Sequence, residues 1–214
     1  MEKVLRVTKQ AADSGWQFQV MNGWDPFIRP NNLRYENGVL SYDFIDGSTN
    51  HDWYKVVHLA NHYLWEGEGQ PLGELNRLNY VKYMSKYNIP GLMSIMERWV
   101  INGDLTVPKS GNVHGDLTLY NTIGNKFIDP SPPRLPCIEI DLSKIMQSLD
   151  GFGVVFRNEP QPMAYPKFET RPELWCLLLT HYIRMIPHIS WHELATDFAQ
   201  QRIKELLCVL RPIS

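Results

Sequence analysis

Cysteine is scarce in this chain: Cys137, Cys176 and Cys208 are the only three in 214 residues. An odd number of widely separated thiols does not make a disulfide framework, so a reducing compartment is expected, with the cytoplasm as its default. Excess charge of one sign is also missing. The 21 basic and 23 acidic residues leave a net charge of −2 with no block of like charge, which argues against nucleic acid as a main partner. The longest apolar run, "LWCLLLTHYI" from Leu174, falls short of the roughly 20 apolar residues a membrane helix needs. The opening "MEKVLRVTKQAADSGW" places charges at positions 2, 3, 6 and 9 and holds no signal-like apolar core; neither targeting nor membrane attachment is expected. Internal repeats and low-complexity tracts are absent too, which leaves no sign of a solenoid or of a disordered tail.

What remains is globular: 43% apolar and 12% aromatic residues are enough for a buried core. The first fifty residues read as strands and turns. "KVLRV" is short and β-branched, "FQVM" is apolar, and "NNLRYENGVLSYDFIDG" sets two strand-like runs about the turn signal Asn37-Gly38. "SGWQFQVMNGW" reads equally as a short helix with Ser14 as N-cap and Asn22-Gly23 as its stop. The texture turns helical after Asp46 to Asn50, where Trp53, Val57, Ala60 and Leu64 recur at helical spacing. Further helices are expected in "LGELNRLNYVKYMSKYN", "GLMSIMERWVING", "EIDLSKIMQSL", "RPELWCLLLTHYIRMI" with Pro172 in its first turn, and "SWHELATDFAQQRIKELLCVL" with Ser190 and Glu193 as a capping box. An α+β fold follows, with a small antiparallel β unit over 1–47 and a mainly helical region over 48–214.

Polar function concentrates in "NVHGDLTLYNTIGNKFIDPSP", residues 112–132. Two carboxylates, Asp116 and Asp129, and one carboxamide, Asn121, meet the needs of phosphoryl transfer from a nucleotide. One carboxylate orients the attacking hydroxyl, while the other and the amide oxygen hold Mg²⁺, a hard ion that takes oxygen ligands. The segment "NTIGNKFID" reads as a hairpin turning at Gly124-Asn125 that returns Asp129 beside Asn121. Taken singly, each of these residues is also an ordinary turn former. His58 and His62, with His51 before them, have helical spacing but no further ligand pattern, so surface or cleft histidines are expected rather than a zinc site.

The run "HGDLTLYNTI…FIDPSPPRLPCIEIDLSKIMQSL", with its H-G-D-x-x-x-x-N, I-D-P and later Asp-Leu, resembles the catalytic core of the aminoglycoside phosphotransferase and choline kinase-like family. The resemblance implies a protein-kinase-like bilobal fold, ATP or GTP as phosphoryl donor, Mg²⁺, and a small-molecule hydroxyl acceptor. It makes Asp116 the catalytic base, Asn121 and Asp129 the Mg²⁺ ligands and His114 the brace of the catalytic loop. Asp141 takes a mainly structural role, tying the next helix to that loop. "VLSYDFIDG" is similar to the family's last N-lobe strand and hinge, so Ser41, Tyr42, Asp43 and Phe44 are expected to meet the adenine, with Gly47 at the crossover.

The resemblance departs near the beginning of the sequence. No glycine precedes Gly15, so the family's phosphate-covering loop has no match ahead of the lysine strand. "KVLRVTK" is the match to that strand; it puts Arg6 at the phosphate-pairing position, with Lys3 and Lys9 as outside candidates. Arginine and lysine are not interchangeable there. No glutamate lies between Glu2 and Glu36, leaving Asp13 as the acid for the usual ion pair. The rival reading is a catalytically inactive, pseudokinase-like module that binds a protein partner.

Overall fold

The computed structural model describes residues 5–45, 47, 52–157 and 171–211. It is a mixed α+β structure with small antiparallel sheets. The expected helical transition between Asp46 and Asn50 lies, Gly47 apart, outside the described residues, as do Glu2, Lys3 and His51.

Strand β1 (Arg6–Lys9) leads into helix α1 (Ser14–Asn22), and β2 (Arg34–Glu36) and β3 (Val39–Asp43) follow as a hairpin. The sheet order is β1-β3-β2, with β3 antiparallel to both neighbours. Asn37 and Gly38 have φ of 52° and 79°. Two successive left-handed residues make the tight turn that matches strand twist, and Asn-Gly is the pair that tolerates it. The helical alternative holds for residues 14–22, because the buried positions Ser14, Gln17 and Met21 recur at helical spacing. Two of them are polar, which hides the stripe from any hydropathy pattern. Asp13, not Ser14, occupies the N-cap position; the Ser14 hydroxyl instead accepts the Ala11 N–H at 2.9 Å.

Helix α2 (Trp53–Tyr63) starts at Asp52, whose carboxylate accepts the N–H groups of Tyr54 and Lys55, two donors the first turn leaves unpaired. Strand β4 (Gln70–Pro71) pairs with β5 (Thr106–Val107) around α3 (Glu74–Ser85) and α4 (Leu92–Met96), which runs on as a π-helical turn over Glu97–Ile101. Arg77 reaches the carbonyls of Leu72, Val100 and Ile101 at 2.8, 3.3 and 3.1 Å and satisfies acceptors that this irregular ending exposes. The hairpin β6 (Thr122–Ile123) and β7 (Lys126–Phe127) precedes α5 (Ile138–Leu149), α6 (Phe152–Arg157), α7 (Pro172–Ile189) and α8 (Glu193–Leu210).

Leu174, Cys176, Leu177, Leu178, Leu179, Tyr182 and Ile183 of α7 are all buried, as a helix apolar around most of its circumference must be. It packs against α5 and α8. Arg202 of α8 grips the Asp150 carboxylate with two nitrogens at 2.6 and 2.8 Å, and the Tyr182 hydroxyl donates to the same group. The expected Ser190–Glu193 capping box is not formed. The chain turns through Ser190 and Trp191, and His192 caps α8 by accepting the Ala195 N–H on Nδ1.

Buried apolar residues fall into two clusters. One joins α3, α4, α5, α7 and α8. The other joins Met21, Trp24, Ile28, Leu40 and Tyr42 to Val56, Leu59 and Leu64 of the α2 region and to Val113, Leu117, Leu119 and Phe127. The first strands and the polar loop over 112–132 therefore share one core, and this sets the site's geometry. No helix among the described residues is long and apolar enough to cross a membrane.

Candidate functional site

The His-Gly-Asp turn is held from below by Asp141 of α5. Its Oδ2 accepts the His114 N–H at 2.8 Å and the Trp65 indole N–H at 3.0 Å, and its Oδ1 accepts the Gly115 N–H at 2.7 Å. Burial pushes the Asp141 carboxyl up to about 6, against the pull of those three donors. Gly115 has φ +78°, and a Cβ there would lie 1.9 Å from the Ser131 carbonyl oxygen. The glycine lets the Asp116 loop and the Asp129 loop touch, a contact closed by Ser131 N–H to His114 O at 2.9 Å.

His114 joins the same two loops through its ring. One nitrogen, Nε2, donates to the Ile128 carbonyl at 2.8 Å, and Nδ1 accepts the Asp116 N–H at 3.3 Å; the face stacks on Trp24, centroids 5.5 Å apart. Both nitrogens are used only if the ring is neutral and protonated on Nε2. Burial accordingly lowers its pKa to about 4, against the opposing charges of Asp116 and Asp129. Its contribution to stability is thus fully present above its unfolded value of about 6.5 and lost as pH falls through about 4. The raised Asp141 carboxyl works in the opposite sense, its contribution being lost as pH rises through about 6. Because the two slopes oppose each other, NMR isolates His114 better than denaturation does. The expected result is an imidazole that is neutral at pH 7 and reaches its titration midpoint only near pH 4; a midpoint above 6 would refute the buried bridge.

The hairpin expected over "NTIGNKFID" is present, with Gly124 at φ 62° in its turn. An Ile128 N–H bond to the Asn121 carbonyl at 3.0 Å carries Asp129 back beside Asn121. The Asn121 amide nitrogen donates to the Asp116 carbonyl at 2.7 Å and to Asp116 Oδ2 at 3.1 Å. Its oxygen is the atom left for a metal. Asp129 has φ 54°, a left-handed conformation that Asp and Asn accept more readily than other side chains.

Two lysines complete the site. Lys9 Nζ, at the end of β1, lies 3.1 Å from Asp129 Oδ1 across 120 residues. Lys144 Nζ, one turn beyond Asp141 on α5, lies 3.0 Å from Asp116 Oδ1 and 3.2 Å from Gln147 Oε1. Both pairs are partly exposed, so their direct contribution to stability is small. Gln17 of α1, 3% exposed, donates to the Pro130 carbonyl at 2.9 Å and so braces the residue after Asp129. Burial, with the nearby charge of Asp129, raises the Tyr42 phenol to about 12.

Arg6 lies elsewhere. Positions 6 and 9 of a strand point to opposite faces, and Arg6 Nε is 4.0 Å from Asp43 Oδ1 while Lys9 meets Asp129. Lys3 is outside the described residues. Among the described residues, the Asp13 carboxylate receives only a long bond from Gln17, at 3.4 Å. Ser41, Tyr42 and Asp43 belong to the central strand of the sheet, and the Asp43 and Phe44 N–H groups donate to Asn31 O and Leu5 O. An adenine in this stretch would find those two donors already used. Gly47, the expected crossover, sits where an added Cβ would be 3.3 Å from Ile123 of the β6–β7 hairpin. His58 and His62 are exposed on α2 with rings 4.3 Å apart.

Lys144 and Gln17 escaped sequence reasoning. Lys144 had one local signal, its one-turn spacing from Asp141; Gln17 had none. Among the described residues no three His, Cys, Asp or Glu side chains gather as a metal cluster. Asp129 and Asn121 offer two oxygens, which suits Mg²⁺, an ion that keeps waters and phosphates as its other ligands. Below Asp116 opens a cavity of about 260 Å³, bordered by Thr118, Lys144, Phe152, Met185 and His188. The chain matches no family model, no curated protein and no solved structure.

Proposed function

We propose that this chain is a Mg²⁺-dependent phosphotransferase of protein-kinase-like, bilobal architecture that moves the γ-phosphoryl of ATP or GTP to a hydroxyl of a small molecule. The observation that carries the reading is the meeting of Lys9 with Asp129, 120 residues apart, beside Asn121 and Asp116. A cation from the first strand, a metal-binding carboxylate, a carboxamide and a second carboxylate are the parts that phosphoryl transfer requires. Lys9 takes Oδ1 of Asp129, and Asn121 turns its nitrogen toward Asp116, which leaves the second Asp129 oxygen and the Asn121 amide oxygen to hold Mg²⁺. When bound, the ion would neutralise phosphate charge.

Each residue has a role in the transfer. Lys9, rather than Arg6, pairs with the donor phosphates, and Gln17 and His114 hold the Asp129 loop in place. Asp116 accepts the proton of the acceptor hydroxyl as its oxygen bonds to the γ-phosphorus and the bond to the β-phosphate oxygen breaks, releasing the nucleoside diphosphate. Lys144 and Asn121 fix that carboxylate's orientation.

Calorimetric titration with ATP and GTP, with and without Mg²⁺, tests the proposal. Asp129→Asn is the variant of choice, since asparagine keeps the left-handed preference while removing the charge; Lys9→Met removes the cation. Metal-dependent binding is expected in the parent chain, weakened at least about tenfold in each variant. Equal binding in all three would sink the assignment. No binding of either nucleotide would favour the inactive, partner-binding module, which the ion pairs already present on both carboxylates also suit.

A further inference from the structure

A second cavity, of about 270 Å³, is lined by Tyr83, Arg134, Lys144, Arg184, Met185 and His188. Lys144, Met185 and His188 also line the cavity below Asp116, so the two adjoin and are treated as one cleft. Its chemistry is cationic. Arg134, from the loop after Asp129, stands over the Tyr83 ring at 4.0 Å, and Arg184 of α7 approaches the same ring at 5.9 Å. Neither arginine makes an ion pair among the described residues. Arg184 Nε is buried without a hydrogen-bond partner there, although a buried guanidinium nitrogen ordinarily has one. Among the described residues, the carboxylate that borders these cavities is Asp116, and Lys144 already neutralises it at 3.0 Å. Two positive charges are left over among those residues.

Lys9, Asn121 and Asp129 line neither cavity. Lys144 takes Asp116 Oδ1, whereas Asn121 takes Oδ2. The surplus cations are thus placed for the acceptor rather than for the nucleotide. A phosphate monoester carries about −1.5 to −2 charge at pH 7, which matches the surplus, and guanidinium forks fit its oxygens in pairs. A carboxylate would offset only half of it. We infer that the acceptor is a phosphorylated hydroxyl compound whose phosphate sits between Arg134, Arg184 and Lys144 with its free hydroxyl toward Asp116. This rests on the phosphotransferase reading and narrows its substrate class.

Inorganic phosphate is the probe, titrated calorimetrically into the full chain with acetate as the carboxylate control and Mg·ATP measured on the same samples. Phosphate is expected to bind, acetate at least tenfold more weakly. Arg184→Gln and Arg134→Gln are each expected to weaken phosphate about 10- to 100-fold. Arg134 is exposed, so its variant keeps the test sound if Arg184→Gln folds poorly. Phosphate that fails to bind, binds no better than acetate, or ignores both substitutions overturns the inference, and Mg·ATP binding in those samples leaves the phosphotransferase reading standing. If phosphate behaves as expected but Mg·ATP does not bind, the anion seat stands and the phosphotransferase reading falls.

Discussion

Asp116→Asn is expected to lower phosphoryl transfer by about 10²- to 10⁴-fold, the range a positioned general base contributes, while leaving nucleotide affinity nearly unchanged. The split follows from the geometry. Lys9 and Asp129 meet each other and do not touch Asp116, whereas Lys144 and Asn121 both converge on it. Asparagine preserves the size of the side chain but removes the basic oxygen and the anion that holds Lys144. The rate can be read before the acceptor is known, as Mg²⁺-dependent release of nucleoside diphosphate with water as acceptor. A loss smaller than tenfold, or a parallel loss of nucleotide binding, would mean that Asp116 is not the base.

Removing Asp141 is expected to act on stability first. Asp141→Ala strands three N–H donors, two of them buried, from His114 and Trp65, and one half-buried, from Gly115. At about 1–3 kcal/mol for each unsatisfied group, the loss is about 3–9 kcal/mol, a large part of the 5–15 kcal/mol that keeps an ordinary domain folded. Urea denaturation measures it. Asp141→Asn should fall between the two, because its oxygen still accepts while its NH₂ opposes one of the donors. A midpoint for the alanine variant that stays within 1 kcal/mol of the parent would show that the loop is held by something else. The loop's apolar anchors Leu117 and Leu119, both 0% exposed, are the alternative holders.

These two expectations draw on features of different legibility. Asp116, Asn121 and Asp129 stand within one short stretch of sequence, and the hairpin that gathers them carries its own turn signal, Gly124 with φ 62°. Local chemistry suffices for such features. The support beneath them was less visible. Asp141 was readable only through a family resemblance, and its three donors come from separate parts of the chain. Nothing in "SGWQFQVMN" marks Gln17, since a buried glutamine at helical spacing looks like a surface residue until the Pro130 carbonyl lies beside it. The capping box at Ser190 shows the reverse error: a valid local pattern gave way when the turn through Trp191 moved the helix start to Glu193.

The sequence by itself determined the short-range elements: the Asn37-Gly38 and Gly124 turns, the helical stretches, and which carboxylates and carboxamide share one loop. Only the tertiary structure decided which cation faces which anion. Lys9 meets Asp129 and Arg6 meets Asp43 because a strand sends alternate side chains to opposite faces, and the partner on each face is set by packing across 120 residues. Lys144 meets Asp116 because Asp141, one turn earlier on α5, pins the His-Gly-Asp turn over that face of the helix. Turn and helix signals act over a few residues, through backbone sterics and local hydrogen bonds. Ion pairs of this separation form only after the apolar clusters have brought their elements together, so no local pattern can specify them.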